Sequence, residues 1–308
     1  MTILLSICLP TFNRASLLDK QLDWLNRAIQ GYEAECEVFI SDNCSTDDTP
    51  AVIRKWQSQF LLRSDLQFRV HCNSHNVGAV KNIAHCISAA QGKYVWTISD
   101  DDLIYENTLG YILNTLRQTS DLSLLVLNYS SRFPKTKKLH FARCFNLKED
   151  TVYSNGLEIF ERCLEERAGA GISLTTALVY KTKQAQKALQ EWQEGLDNFF
   201  VQLYWTGFCA LHGSVKVTVE NYLECTAGKH HYTEKPAVYV RTKYADLPAV
   251  YVKLSQLGYS REICRKLTFR SFRRMNWRLI TKGFIHQPKL VTQALIDYAL
   301  STWRIQIL

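Results

Sequence analysis

The chain has 308 residues, with 37 Lys+Arg against 29 Asp+Glu and a formal net charge of +8. With 46% hydrophobic and 21% charged residues it has a globular composition and the length to bury a large core without disulfide or metal staples, which excludes disorder, collagen and coiled coil. The charge excess is the one unusual number, and it points to an acidic partner: nucleic acid, a membrane surface or a phosphorylated small molecule.

Residues 3–9 form a short apolar run without a basic flank that ends at Pro10, and read as a buried first strand rather than a signal peptide. Residues 15–30 carry Leu17, Leu18, Leu22, Leu25 and Ile29 at helical spacing. Residues 37–41 read as a strand, and Thr49-Pro50 opens a helix to about residue 60, because proline is tolerated in a first turn. A strand at 67–72 and a helix at 79–91 follow, with Gly92 as its stop. Next come a strand at 93–98, a helix at 105–118 and a strand at 122–129. Strands alternating with helices of this length predict βαβ units and a mostly parallel sheet, the α/β class.

Beyond residue 130 the rhythm loosens. Residues 132–150 are a basic, polar hairpin or excursion; helices are expected at 155–166, 183–194 and 198–211, a strand at 214–219, a loop at 225–243, and helices over the last 60 residues. No repeat and no Pro/Gly/Ser-rich linker divides the chain, so one α/β domain with a C-terminal helical appendage is expected. The ten cysteines include no C-x-x-C pair, which argues against structural zinc and for a reducing, cytoplasmic setting. No apolar stretch reaches the length of about 18 residues that a spanning helix needs.

In a parallel α/β sheet ligands bind beyond the carboxyl ends of the strands. The first strand is followed by Pro10-Thr11-Phe12-Asn13-Arg14, the second by Asp42-Asn43-Cys44-Ser45-Thr46-Asp47-Asp48, the third by Asn73 to Gly78, and the fourth by Ser99-Asp100-Asp101-Asp102. Three consecutive aspartates repel one another unless something positive sits among them. Hard divalent cations take such oxygen ligands together with substrate phosphates. Asp102 as a helix N-cap would account for one aspartate, not three. Asp47 or Asp48 suits an N-cap, whereas Asp42 and Asn43 come too early and are placed for a base edge or a sugar hydroxyl. Arg14 at a helix start suits phosphate, and Phe12 offers a face for a base. Asn76-x-Gly78 makes a tight turn in which Gly78 takes positive φ.

These four segments, in this order and spacing, resemble the family 2 glycosyltransferases, and the Gly92-Lys93-Tyr94-Val95-Trp96 to Asp100-Asp101-Asp102-Leu103 piece resembles the abequosyltransferase-like branch that builds bacterial surface polysaccharide. The resemblance covers residues 3–130, with Asn82 also matching. It implies the GT-A fold, a nucleotide-diphospho-sugar donor, a Mn²⁺ or Mg²⁺ ion, and transfer with inversion to a hydroxyl of a saccharide, lipid-linked in such pathways. It divides the chain into a GT-A domain at 1–245, with a nucleotide-sugar half to about 130 and an acceptor half at 131–245, and a helical basic region at 246–308.

Carried over, the resemblance implies nucleotide-sugar contacts from Pro10, Thr11, Phe12, Arg14, Asp42, Asn43, Asn76, Gly78 and Asp100. The aspartate run stands for the family's D-x-D motif but departs from it, since Ser99 takes the place of the first aspartate. Two arrangements stay open: Asp101 as the main metal ligand with Asp100 on the ribose, or Asp100 and Asp102 as the pair; Asp101 and Asp102 are the candidate metal residues. The family draws its base from the second half, which implies Asp197; an N-cap for the following helix is the competing role. His230 and His231 read as a solvated pair in a Gly-flanked loop, with a further metal or phosphate contact as the alternative. An inactive nucleotide-sugar-binding subunit is the alternative function. A nucleic-acid partner lacks any recognisable module, and a dehydrogenase lacks G-x-G-x-x-G.

The charge is local. Residues 251–290 hold ten Lys+Arg and one acid, Glu262, so the segment carries +9 and the other 268 residues sum to −1. Lys266, Arg270, Arg274, Arg278 and Lys282 lie four apart, as one helical stripe would place them, with Phe269, Phe272, Leu279 and Ile280 roughly opposite. Such a helix either packs on the domain with a solvated basic face or docks on an anionic membrane. The second reading makes the protein peripheral on the inner membrane face.

Overall fold

The computed structural model describes residues 3–167, 171–227, 235–273 and 275–307. Its first third follows the expected order: β1 (Leu5–Thr11), α1 (Ala15–Ala28), β2 (Cys36–Asp42), α2 (Thr49–Phe60), β3 (Gln67–Cys72), α3 (Ala79–Ala89) and β4 (Tyr94–Thr97). β1 pairs in parallel with β2 on one side and β4 on the other, and β2 with β3. α1 packs beside α2, and α3 packs against β1 and β2. Every residue of β2, and all of β1 except Pro10, is buried, as the sequence of a strand covered on both faces requires.

Pro10 is tolerated in this central strand for a local reason. β4 pairs with β1 only as far as Cys8, and the next link, Ile98 N–H to Cys8 O, closes the ladder. Thr11 O faces β2, accepting from Asn43 N–H, so the neighbouring Pro10 lacks its N–H on the side where no strand pairs. Gly92 does not end α3, which stops at Ala89 with an extended Ala90 after it. It is needed because a Cβ there would lie 2.8 Å from Ser6 N.

The second part is β5 (Leu103–Ile104), α4 (Thr108–Gln118), β6 (Leu122–Arg132), β7 (Leu139–Phe141), β8 (Thr151–Tyr153), α5 (Gly156–Arg167), β9 (Leu178–Lys181), α6 (Thr182–Glu191), α7 (Val201–Ala210) and β10 (Ser214–Thr226). All ten strands of the described residues join one sheet, in the order β3-β2-β1-β4-β9-β6-β10-β5, with β7 on β6 and β8 on β10. β9 is antiparallel to both β4 and β6, while β6 and β10 are parallel. Six strands therefore run one way, and the short ones run against them.

β9 is the principal difference from the sequence reading, which had no strand between 166 and 183; it is only four residues long and follows a 3₁₀ turn (Thr175–Ala177). The helix expected from residue 105 starts at Thr108 because β10 captures Leu103 and Ile104 first. The expected excursion at 132–150 contains β7, and Asn128 anchors it: its Oδ1 accepts from Cys144 and Phe145 N–H at 3.0 Å each, and its Nδ2 donates to Phe145 O at 2.8 Å.

The loop expected at 225–243 is replaced by β10 up to Thr226 and by α8 (Pro236–Arg241), which runs through a π turn (Thr242–Asp246) into α9 (Leu247–Gln256). Pro236 sits in the first turn, and Ala237 and Val240 bury themselves in a small second core, which makes the segment helical. His230 and His231 lie outside the described residues. α10 (Arg261–Arg273), α11 (Trp277–His286) and α12 (Pro288–Ile307) complete the chain. Val250, Tyr251 and Leu254 of α9 belong to the main core, so that core continues past residue 245.

Candidate active site

The carboxyl ends of β1, β2, β3 and β4 converge, and their side chains bind one another. Arg14 Nη1 lies 2.6 Å from Asp100 Oδ1 and 3.1 Å from Asp101 Oδ2. Thr11 Oγ1 donates to Asp100 Oδ2 at 3.1 Å. The positive group that three adjacent aspartates require is thus Arg14, delivered by β1, the neighbour of β4 in the sheet. Burial pushes the Asp100 carboxyl up, against the pull of Arg14. Burial would lower the Arg14 guanidinium, but Asp100 and Asp101 raise it, so it stays cationic.

The three aspartates occupy different environments. Asp100 and Asp102 are buried, whereas the Asp101 side chain is 41% exposed. Asp102 accepts a hydrogen bond from Thr176 Oγ1, and the same oxygen accepts from Ser99 N–H at 2.9 Å. Burial pushes the Asp102 carboxyl up to about 7, helped by the charges of Asp101 and Asp100 and opposed by the Thr176 hydrogen bond. Ser99 donates to Asp101 Oδ1. Asp102 therefore reaches back into the protein, and Asp101 is the member left toward solvent.

Thr176 had no signature in the sequence, since its place depends on β9. The Thr176→Val variant keeps the shape and loses the hydroxyl that holds both Ser99 N–H and Asp102. It is expected to cost about 1–3 kcal/mol in urea unfolding, with Thr176→Ser restoring most of it.

A second network builds the loops after β2 and β3. Asn43 is buried and spends both side-chain groups inside the protein. Its Nδ2 donates to Asn76 Oδ1 at 2.8 Å, and its Oδ1 accepts from Asn73 Nδ2 and Val77 N–H at 3.0 Å each. Asn82 joins them, accepting from Ser41 Oγ at 2.7 Å and from Asn73 Nδ2 at 3.0 Å. Asp42 Oδ1 accepts from Ser45 N–H at 3.1 Å. Gly78 has φ +90° and ends the turn at the start of α3, as expected.

Asp47 supplies the helix caps. It accepts from Thr49 N–H at 2.9 Å and Ala15 N–H at 3.2 Å, and so covers the starts of α2 and α1 together. Phe12, which follows β1, is 38% exposed.

Asp197 lies at the end of a 3₁₀ turn (Gln193–Asp197) and pairs with Lys81 Nζ at 2.7 Å, in the first turn of α3. Its side chain is 72% exposed, and the hydrogen bond from Lys81 holds its carboxyl below the usual range. It is not the cap of α7: Phe200 N–H is taken by Asn198 Oδ1 at 2.8 Å. Arg241 donates to the Asp197 carbonyl, and Asn198 Nδ2 donates to Asp246 O at 2.7 Å, so the turn is held by the segment leading into α9.

A cleft of about 550 Å³ opens against Asp100, Asp101 and Asp102 from the side of α1 and α2. Gln21 and Trp24 line it, and each buries a side-chain nitrogen without a hydrogen-bond partner. Among the described residues no three His, Cys, Asp or Glu side chains are grouped as a ready-made metal cage.

The model of the family described as Glycosyl transferase family 2 matches residues 6–163, which include the carboxyl ends of β1, β2, β3 and β4. Abequosyltransferase RfbV of Salmonella typhimurium is 25% identical over 283 residues, covering 87% of this chain and 79% of that protein. The crystal structure of S. aureus TarS 1-349 in complex with UDP-GlcNAc superposes with a TM-score of 0.64 at 19% identity, covering 97% of this chain and 82% of that one. Mannosyltransferase PcManGT from Pyrobaculum calidifontis, in complex with GDP-Man and Mn2+, gives a TM-score of 0.52 at 15% identity, covering 98% and 88%. The solved structures share the fold, and the family model spans the half of the chain that carries the Arg14–aspartate cluster. This chain belongs to glycosyl transferase family 2.

Proposed function

We propose that this chain transfers a sugar from a nucleotide-diphospho-sugar to a hydroxyl of a saccharide acceptor, with inversion at the anomeric carbon, in the synthesis of a surface polysaccharide. The observation that carries the reading is the Arg14–Asp100–Asp101 cluster, a cation and two carboxylates held at the ends of β1 and β4. Phe12 offers its exposed face to the base. Asp100, fixed by Thr11 and Arg14, takes the ribose. Arg14, the residue that precedes α1, and Lys81, in the first turn of α3, are assigned to the diphosphate, where helix N-termini add their partial positive charge. Asn43 and Asn76, engaged with each other, position these loops.

A divalent cation fits Asp101, the exposed oxygen donor of the three, with donor phosphates completing the shell as Mg²⁺ and Mn²⁺ sites commonly require. When bound, the ion neutralises charge on the leaving diphosphate. Asp102, turned to Thr176, is assigned to hold the loop instead. The acceptor oxygen attacks the anomeric carbon as the bond from that carbon to the phosphate oxygen breaks. Asp197 takes the acceptor hydroxyl's proton.

Calorimetric titration with a panel of nucleoside diphosphates tests this. One nucleotide is expected to bind at least about tenfold (about 1.4 kcal/mol) tighter with Mn²⁺ than with chelator, and Asp101→Asn to lose that difference. If no nucleotide binds, with or without metal, the reading fails.

A further inference from the structure

The C-terminal helices do not form the single basic stripe that residue spacing suggested. α10 ends at Arg273 and α11 starts after Asn276, whose side chain caps Leu279 N–H, so Lys266 and Arg270 sit on one helix and Arg278 and Lys282 on another; Arg274 lies outside the described residues. Phe269 and Phe272 are exposed rather than packed inward, at 54% and 44%.

Two observations make this surface unlike the rest of the molecule. The first is apolar. Nine of the eighteen exposed large hydrophobic residues among those described lie in 269–307. On α12, Ile296, Leu300, Trp303 and Ile307 recur at spacings of four, three and four, all at least 43% exposed, opposite the face that Val291, Ala294, Ser301 and Ile305 bury. α11 adds Trp277 and Ile285, exposed at 68% and 71%.

The second is charge. Residues 261–308 contain ten Lys+Arg and two acids, Glu262 and Asp297, whereas the first 260 residues contain 27 of each sign. The whole net charge of +8 therefore belongs to this segment. Among the described residues, one of these cations is ion-paired: Lys266, with Glu165 at 2.7 Å.

We infer that α10, α11 and α12 form a docking surface for an anionic phospholipid bilayer. An apolar stripe in a segment rich in cations, with tryptophans among its exposed residues, is what a helix lying in the headgroup region presents. A second copy of the chain would bring the same +8 against itself, so charge selects an anionic surface over self-association. No described helix is long and apolar enough to cross a membrane, which makes the contact peripheral. The surface is independent of the sugar chemistry, and its test does not use transfer activity.

The full-length protein is floated with phosphatidylglycerol–phosphatidylcholine vesicles and with phosphatidylcholine vesicles at low and high salt, and sized alone by sedimentation velocity. Expected are binding to the anionic vesicles that weakens with salt, and loss of about fivefold in partition for each of Arg273→Gln and Arg278→Gln. Trp303→Ala/Ile307→Ala should weaken partition at both salt levels, with circular dichroism confirming that each variant folds. The inference is overturned if anionic vesicles bind no better than neutral ones, if neither variant set changes binding, or if the stripe proves to hold a dimer that Trp303→Ala/Ile307→Ala dissolves.

Discussion

Asp197→Asn is expected to lower the turnover of sugar transfer by about 10²–10⁴-fold, the usual worth of a general base, while donor affinity stays within about twofold. The variant keeps the side-chain shape and removes the proton acceptor. Its cost to folding is small, because the Lys81–Asp197 pair is largely exposed and exposed pairs contribute about 0–1 kcal/mol. The pair also sets a pH signature. Lys81 lowers the Asp197 carboxyl, so the ionised base survives to lower pH than an ordinary aspartate would. Transfer falls as pH drops through that value. In Lys81→Met the fall should begin at higher pH, nearer the ordinary carboxylate value of about 3.9. Turnover unaffected by Asp197→Asn would remove the base assignment, and nucleotide titration would show separately whether the donor site stands.

The largest expected effect on stability lies away from the site. Glu37, on β2, is wholly buried with its charge. Arg69 on β3 grips it, donating from Nε at 3.1 Å and Nη2 at 2.7 Å to the same oxygen, while Gln91 N–H at 2.6 Å and Ser6 Oγ satisfy the other. Arg69→Met leaves that carboxylate buried and unpaired, and should cost about 3–5 kcal/mol in denaturant unfolding. A double-mutant cycle gives the sharper reading. Glu37→Leu/Arg69→Met removes both charges and should recover much of the loss, since a buried pair can often be replaced by apolar groups at little net cost. A double variant no more stable than the single one would show that geometry, not the stranded charge, is what matters there.

What could be read in the sequence depended on how local its causes were. α1, α2, β2 and β3 announce themselves through their own apolar spacing, and they stand within a residue or two of expectation. The polar strand ends were legible because a parallel sheet brings all such ends to one edge. Their internal wiring was not. That Asn43 is consumed by Asn73, Asn76 and Val77, or that Asp102 turns to Thr176, depends on residues 30 to 74 positions apart meeting in space. Lys81 carries no signal of its own in the sequence, because its partner Asp197 meets it only through the tertiary fold. The basic C-terminal stripe failed for the opposite reason: the four-residue spacing was real, but a helix end at Arg273 interrupts it.

β9 also governs the order in which the molecule can be completed during synthesis. Both strands it joins, β4 and β6, have been synthesised by residue 132, yet the strand that belongs between them ends at Lys181. Until then two central edges stand open, each a template for pairing with another chain. The N-terminal half is therefore not a module that folds and waits. Closing the sheet is a late, non-local event, the kind that slows folding. The same event seats Thr176 under Asp102, so the aspartate loop takes its final form only when the sheet is closed.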